Sequence, residues 1–235
     1  MERYYTKLLA NDLVAYSYFG ISVAIDCTTE TTSSVYNAVV GAYMANGEVE
    51  STGAAYVYRG IKGASFDRGP YSWTQVSKLI AADGESNDFF GTSVAVYRKT
   101  ILIGSKGDNI RGIGSGSAYF FTASDVRGGW SFQSKIWSND SVAYDDFGVS
   151  VALWGDVAIV GADQGYGYSE SSGCAYIFRP SEFGQPYHIS NLTSMSQLRF
   201  LLLLTIIPFA LLSIPAVICF GLWYLQKKKF MARDK

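Results

Sequence analysis

An all-β domain of repeated four-stranded units, followed by one membrane-spanning helix, is what the sequence predicts. Two spacings recur unchanged at three places, and each recurrence carries four short strand-like runs. A single long uncharged segment lies near the C-terminus. The 235 residues carry a net charge of −1, with only 17% charged and 15% aromatic side chains. A disordered chain would carry more charge and fewer aromatics, and a nucleic-acid binder a basic surface. The charge is unevenly placed. Residues 1–199 hold 14 basic against 19 acidic residues, and residues 226–235 hold five against one. An acidic body and a basic tail point to two environments. Abundant Tyr, Gly, Ser and Val suit strands and turns rather than helices.

The repeat carries the fold prediction. The first copy reads Lys7-Leu8, then Phe19-Gly20-Ile21-Ser22-Val23-Ala24, then Val39-Val40-Gly41-Ala42, then Gly53-Ala54-Ala55-Tyr56. The second has Lys78-Leu79, Phe90-Gly91-Thr92-Ser93-Val94-Ala95, Leu102-Ile103-Gly104-Ser105 and Gly116-Ser117-Ala118-Tyr119. The third has Lys135-Ile136, Phe147-Gly148-Val149-Ser150-Val151-Ala152, Ile159-Val160-Gly161-Ala162 and Gly173-Cys174-Ala175-Tyr176. Lysine to phenylalanine is 12 residues in each copy, as is the central glycine to the later glycine. Eight extra residues around 28–35 distinguish the first copy, and they predict an inserted loop.

In the second copy the four runs fall near 73–80, 91–97, 100–104 and 117–122. They alternate, are β-branched or aromatic, and are broken by Gly, Asn and Asp. Four antiparallel strands in about 57 residues is the size of a β-propeller blade. Phe19, Phe90 and Phe147 are expected to anchor the packing between neighbouring sheets. Gly20, Gly91 and Gly148 are expected to allow close approach or hold a bulge. Trp73 and Trp130 should cover the outer strand. The third copy lacks a last strand after Arg179, and the chain opens on an outer-strand-like run at 2–9. Twelve strands then form three units offset by one strand, the offset by which propellers close. Propellers need at least four blades, so three blades are expected to be part of a larger propeller, completed by further blades or by self-association. The start inside a repeat, with no signal-peptide-like apolar run in residues 1–20, favours a truncated N-terminus.

The pattern Phe-Gly-x-Ser-Val-Ala, Val-Gly-Ala, Gly-x-Ala-Tyr resembles the FG-GAP repeat, the blade repeat of integrin α-subunit propellers. The stretch from Lys78 to Gly84, with Asp88-Phe89-Phe90-Gly91, is most similar to its non-integrin branch. The resemblance covers about residues 1–179, with copies at about 1–59, 72–122 and 130–179 inside a body of 1–180. It implies a β-propeller used for binding or adhesion. Integrin-like blades often carry a calcium loop, but here the matching connections at 97–100 and 154–156 are tight hairpins without enough oxygen ligands. The expectation is no cofactor, with calcium possible and unsupported by the usual motif.

Candidate sites follow from the loops. Asp83, Glu85, Asn87 and Asp88 alternate oxygen ligands ahead of a Phe-Gly strand and form a weak calcium candidate. The competing reading is a turn that caps its own backbone. Asn139, Asp140, Asp145 and Asp146 form a second acidic loop. Tyr166 and Tyr168, between glycines in the hairpin at 163–172, offer stacking surface for a protein or glycan. That hairpin and the inserted loop are expected on one face. The glycine-rich stretch at 112–116 lacks the lysine and following helix of a phosphate loop. Asn139 and Asn191 stand in glycosylation sequons, which matter if the body is lumenal. No catalytic residues are expected, because the single His188 sits outside the repeats. Cys27 and Cys174 either pair in an oxidising compartment or stay two half-buried thiols. With Cys219, they form no Cys/His zinc framework.

Residues 200–225 hold 26 residues without a charge, more than the ~20 a helix needs to cross a bilayer. Pro208 and Pro215 predict a kink. Trp223 and Tyr224 mark an interface, and Lys227, Lys228 and Lys229 place the tail at 226–235 in the cytoplasm. Residues 181–199 become a juxtamembrane linker, and the body lies outside or in a lumen. Tail-first insertion is the topological alternative. The function predicted is a non-catalytic, single-pass membrane protein that binds protein or glycan ligands and no nucleic acid. A structural subunit of a membrane assembly is the competing class.

Overall fold

The computed structural model describes residues 5–29, 33–47, 49–63, 72–123, 129–167, 169 and 171–179. The linker, the uncharged segment, the basic tail, His188, Asn191 and Tyr168 lie outside them. Among the described residues eleven strands form three antiparallel sheets within one compact unit. The first is β1 (Val23–Thr29), β2 (Ser33–Ala42), β3 (Ala54–Gly63) and β4 (Ser72–Leu79). The second is β5 (Phe90–Tyr97), β6 (Thr100–Ser105), β7 (Ser117–Ala123) and β8 (Trp130–Ile136). The third has three strands, β9 (Ser150–Trp154), β10 (Val157–Ala162) and β11 (Cys174–Phe178). The first two sheets therefore take their first three strands from one sequence copy and their fourth from the next, while the third sheet has the three strands of its own copy.

Packing follows from the repeat markers. Phe19 meets Tyr56 and Tyr58, Phe90 meets Tyr119 and Phe121, and Phe147 meets Tyr176 and Phe178. The Phe–Tyr centroids lie 5.6, 5.2 and 5.3 Å apart, within the range of favourable aromatic pairs. Phe90 and Phe147 are fully buried. Phe19 is only half-buried, a departure from its expected anchor role, because no sheet precedes it among the described residues.

The main core lies between the first and second sheets. Val39, Ala55 and Val57 of the first face Val94, Val96, Ile101 and Ile103 of the second. Sheets approach closely where glycines face each other. A Cβ on Gly41 would collide with the carbonyl of Gly91, and one on Gly104 with the carbonyl of Gly148. Gly91 also has a φ of +90° at a register shift between Phe90 and Ser93, so both expected roles, close approach and bulge, are met at one position. Trp73 lies across from Gly60, covering that bare strand position.

Two expectations are corrected. The run at 2–9 is no outer strand in its described part, since residues 5–9 pair with no sheet. Cys174–Phe178 keeps a free edge instead, so the twelfth strand and closure within the chain are absent among the described residues. The described part of the first copy's extension, residues 28–29 and 33–35, does not make an inserted loop. It lengthens two strands, and pairing runs on through Asp26↔Asn37, Cys27↔Tyr36, Thr28↔Val35 and Thr29↔Ser34. The β-branched Thr28, Thr29 and Val35 suit strand better than loop. Cys27 and Cys174 are both free thiols.

Candidate ligand-binding face

Strand direction sorts the connections between two ends of the sheets. The turns β1–β2, β5–β6 and β9–β10 lie at one end, called here the hairpin end. The connections β2–β3, β6–β7 and β10–β11 lie at the other, together with β4–β5 and β8–β9, because successive strands are antiparallel. This loop end collects the two acidic loops singled out in the sequence, at 83–88 and 139–146. It also separates the two segments expected on one face. The first-copy extension sits at the hairpin end, and the hairpin at 163–172 at the loop end. An antiparallel meander puts consecutive connections at opposite ends, which overrides that expectation.

A polar network underlies the loop end in the second sheet. Lys135 on β8 reaches Asp83 at 2.7 Å and Asp108 at 2.5 Å. The Tyr119 hydroxyl donates to Asp83 at 3.0 Å and to Asp108 at 2.9 Å. Ser117 donates to Asp108 at 2.7 Å. Burial pushes Lys135 down and Asp83 up, but Asp108 and then Asp83 outweigh it at Lys135, and Lys135 and then Tyr119 outweigh it at Asp83, holding Lys135 above and Asp83 below their ordinary ranges. Burial, then the Asp108 and Asp83 charges, push the Tyr119 phenol far up. Lys135 is thus a locked cation rather than a free base.

The other sheets carry parts of this network. Lys78 meets Asp12 at 2.5 Å at the first sheet, and the Tyr176 hydroxyl donates to Asp140 at 3.0 Å at the third. Asp108 has no counterpart, since Ala45 and Gly165 hold its place. Each of the three accepts from the later glycine's N–H at 2.8–2.9 Å.

The four calcium candidates do not converge. Asp83 is taken by Lys135 and Tyr119. Asp88 is buried and accepts from the Glu85 N–H at 2.8 Å, while Asn87 supplies a left-handed turn with φ +71°. Asp145 repeats the cap on Val142 at 2.8 Å, and the Ser17 hydroxyl does so on Val14. The turn is the same whether the capping residue is an acid or a serine, as expected of a backbone cap. Among the described residues no group of three or more His, Cys, Asp or Glu is placed to hold a metal. Burial and the Asp108 charge push Asp88 up to about 6, against the pull of the Glu85 N–H.

The surface of the loop end is apolar at the seam between the second and third sheets. Tyr144 is 64% exposed and Ile113 65%. The Tyr144 N–H donates to the Ile113 carbonyl at 2.7 Å, so the two residues are neighbours. Ile110 and Val142 are exposed on the same two loops. Charged contacts border them: Lys106 meets Asp146 at 3.0 Å, and the Arg111 guanidinium donates to the Asn139 carbonyl at 2.6 Å. Tyr144 has φ +69°, and Tyr16, its counterpart in the first copy, has φ +66°. Asn87 occupies that place in the second copy and tolerates it, but a bulky side chain there is an outlier. The recurrence of this φ in all three copies shows that the turn imposes it, and such strain persists only where the surrounding structure over-determines it.

Tyr166 is exposed at the loop end, at the tip of the third-sheet hairpin. Asn139 is exposed at this end too. The sequence reading missed Tyr16, Tyr144, Ile113 and Asp108. The signal for the tyrosines was present, since Tyr16, Asn87 and Tyr144 each stand three residues before the Phe-Gly phenylalanine.

The FG-GAP repeat family matches the chain three times, over residues 5–58, 73–121 and 130–178. These matches begin and end within a few residues of the three copies read from spacing alone. No curated protein matches the chain.

Proposed function

Because the chain belongs to the FG-GAP repeat family, we propose that its three sheets form a propeller-type binding domain that takes a protein or glycan ligand at the loop end, without catalysis. The observation that carries this reading is the exposed cluster Tyr144, Ile113, Ile110 and Val142 between two polar contacts. Aromatic and aliphatic side chains ringed by hydrogen-bonding groups give contact area at small entropic cost. Tyr166 extends that surface along the third-sheet hairpin. The uncharged segment at 200–225 and Lys227–Lys229 support one membrane span with a cytoplasmic tail, and a lumenal body would make Asn139 a glycan acceptor.

The test is binding of the full chain to a glycan array and to a panel of purified extracellular proteins. Tyr144→Ser with Ile113→Ser should weaken any signal tenfold or more and leave the melting temperature unchanged. A ligand bound equally by the variant sinks the loop-end reading. A structural subunit remains the second reading, favoured by the uncovered outer faces of the first and third sheets.

A further inference from the structure

The two seams within the chain are built alike, and each outer face carries half of the same seam. At the first seam Val94 and Val96 of β5 pack on Val39, Ala55 and Val57. Their counterparts Val23 and Ile25 on β1 are 68% and 62% exposed. On the third sheet Ile159 and Ile177, counterparts of Val39 and Val57, are exposed as well. The glycine contacts tell the same story. Gly41 and Gly104 each lie against the carbonyl of the next Phe-Gly glycine, whereas Gly161 meets only its own sheet's Ser150. Gly91 and Gly148 each lie against a carbonyl of the preceding sheet, whereas Gly20 has nothing within 4 Å of its Cβ position.

The strand edges and charges match too. β3 pairs with β4 through Ala55↔Leu79 and Tyr56↔Lys78, and β7 with β8 through Ala118↔Ile136 and Tyr119↔Lys135. β11 has a free edge where this pairing would place a Lys-Leu step against Ala175 and Tyr176. Lys7-Leu8 is that step, and it lies in no sheet. Lys78 pairs with Asp12, and Lys135 with Asp83, while among the described residues no cation pairs with Asp140.

We propose that a second copy of this chain supplies what each outer face lacks. The segment around Lys7-Leu8 of one copy adds to β11 of the other as its fourth strand. Lys7 completes the Asp140–Tyr176 pair, and Val23 and Ile25 seat on Ile159 and Ile177. The contact joins unlike faces, so each copy uses both. Two copies close a ring of six sheets, inside the four-to-eight range of propellers, and three copies would make nine, outside it. The two acids and two lysines of the completed ring repeat an arrangement already present twice in the chain.

Cross-linking of the full chain tests this in a background with Cys27, Cys174 and Cys219 changed to serine. Lys106 and Asp146 meet across the second seam, and Asp163 and Tyr18 hold their places on the outer faces. A short bismaleimide should join Tyr18→Cys chains to Asp163→Cys chains in a mixture, and neither variant to itself. The double variant should stop at two copies. Lys106→Cys with Asp146→Cys is the control that cross-links within one chain. Val23→Asp, at a position exposed in the single copy, should leave the fold intact and weaken dimerisation at least tenfold. Three results would each overturn the proposal: cross-linking of Tyr18→Cys to itself, a ladder beyond two copies from the double variant, or a single-copy mass without cross-linking in the parent chain.

Discussion

Gly91 and Gly20 hold the same place in the repeat and nearly the same backbone, φ +90° and +95°. Gly91 is wedged against the carbonyl of Ala54, and Gly20 faces open space. The same contrast separates Phe90 from Phe19 and Val94 from Val23. One sequence pattern therefore encodes two different things. The local turn forms wherever the pattern occurs, but burial comes only where another sheet lies alongside. Residues on the covered seams and their uncovered counterparts can be compared within one molecule.

The largest contrast is expected at the phenylalanines. Phe90→Ala should destabilise by ~3–5 kcal/mol, as for a large buried aromatic. Phe19→Ala should cost less than half of that, and equal losses in denaturant melts would break the comparison. The cation pairs come next. Lys135→Met strands the buried Asp108 and should cost roughly 3–4 kcal/mol, the lower part of the range for a broken buried pair because Asp83 is half exposed. Lys78→Met breaks an exposed pair and should cost under ~1 kcal/mol. A loss at Lys78 as large as at Lys135 would show that Asp108 is not the reason.

Gly104→Ala forces a methyl into the Gly148 backbone and should cost about 1–3 kcal/mol by overpacking. Gly161→Ala meets only the Ser150 hydroxyl, which can turn away, so a single copy should tolerate it. Calorimetry of the two variants at matched low concentration separates them. The last contrast is a pH slope. Asp88, pushed up to about 6 by burial, holds its proton longer folded than unfolded. Its contribution is present below the unfolded value of 3.8 and is lost as the pH rises through about 6. Asp88→Asn keeps the cap on Glu85 and should gain stability relative to the parent between pH 4 and 6. Parallel melting curves across that range would remove Asp88 as the titrating group.

Much of the fold was legible because its signals are local. The spacings from Lys7 to Phe19 and from Gly41 to Gly53, each repeated, placed the strands to within a residue or two. The reading failed where partners decide the outcome. The run at 2–9 has strand composition, but its described residues 5–9 have no neighbouring strand and form none. At residues 28–35 the broken spacing points to a loop, while the Thr content favours strand. The face was misjudged because a meander alternates ends, a rule of topology rather than of composition. Asp83 and Asp88 looked like ligands in series. The lysine that claims Asp83 lies 52 residues away, beyond any local pattern.

The direction of β11 has a mechanical consequence. It runs from the loop end to the hairpin end, so the chain continues from Arg179 at the far end of the sheet from Tyr144 and Tyr166. A tether pulling at the C-terminal side and a ligand pulling at the loop end would load β11 along its own axis. Its five paired positions with β10, from Ala162↔Cys174 to Ala158↔Phe178, would then resist together in shear instead of peeling apart one after another. Pulling between residue 179 and the loop end should need clearly more force than pulling β11 sideways away from β10.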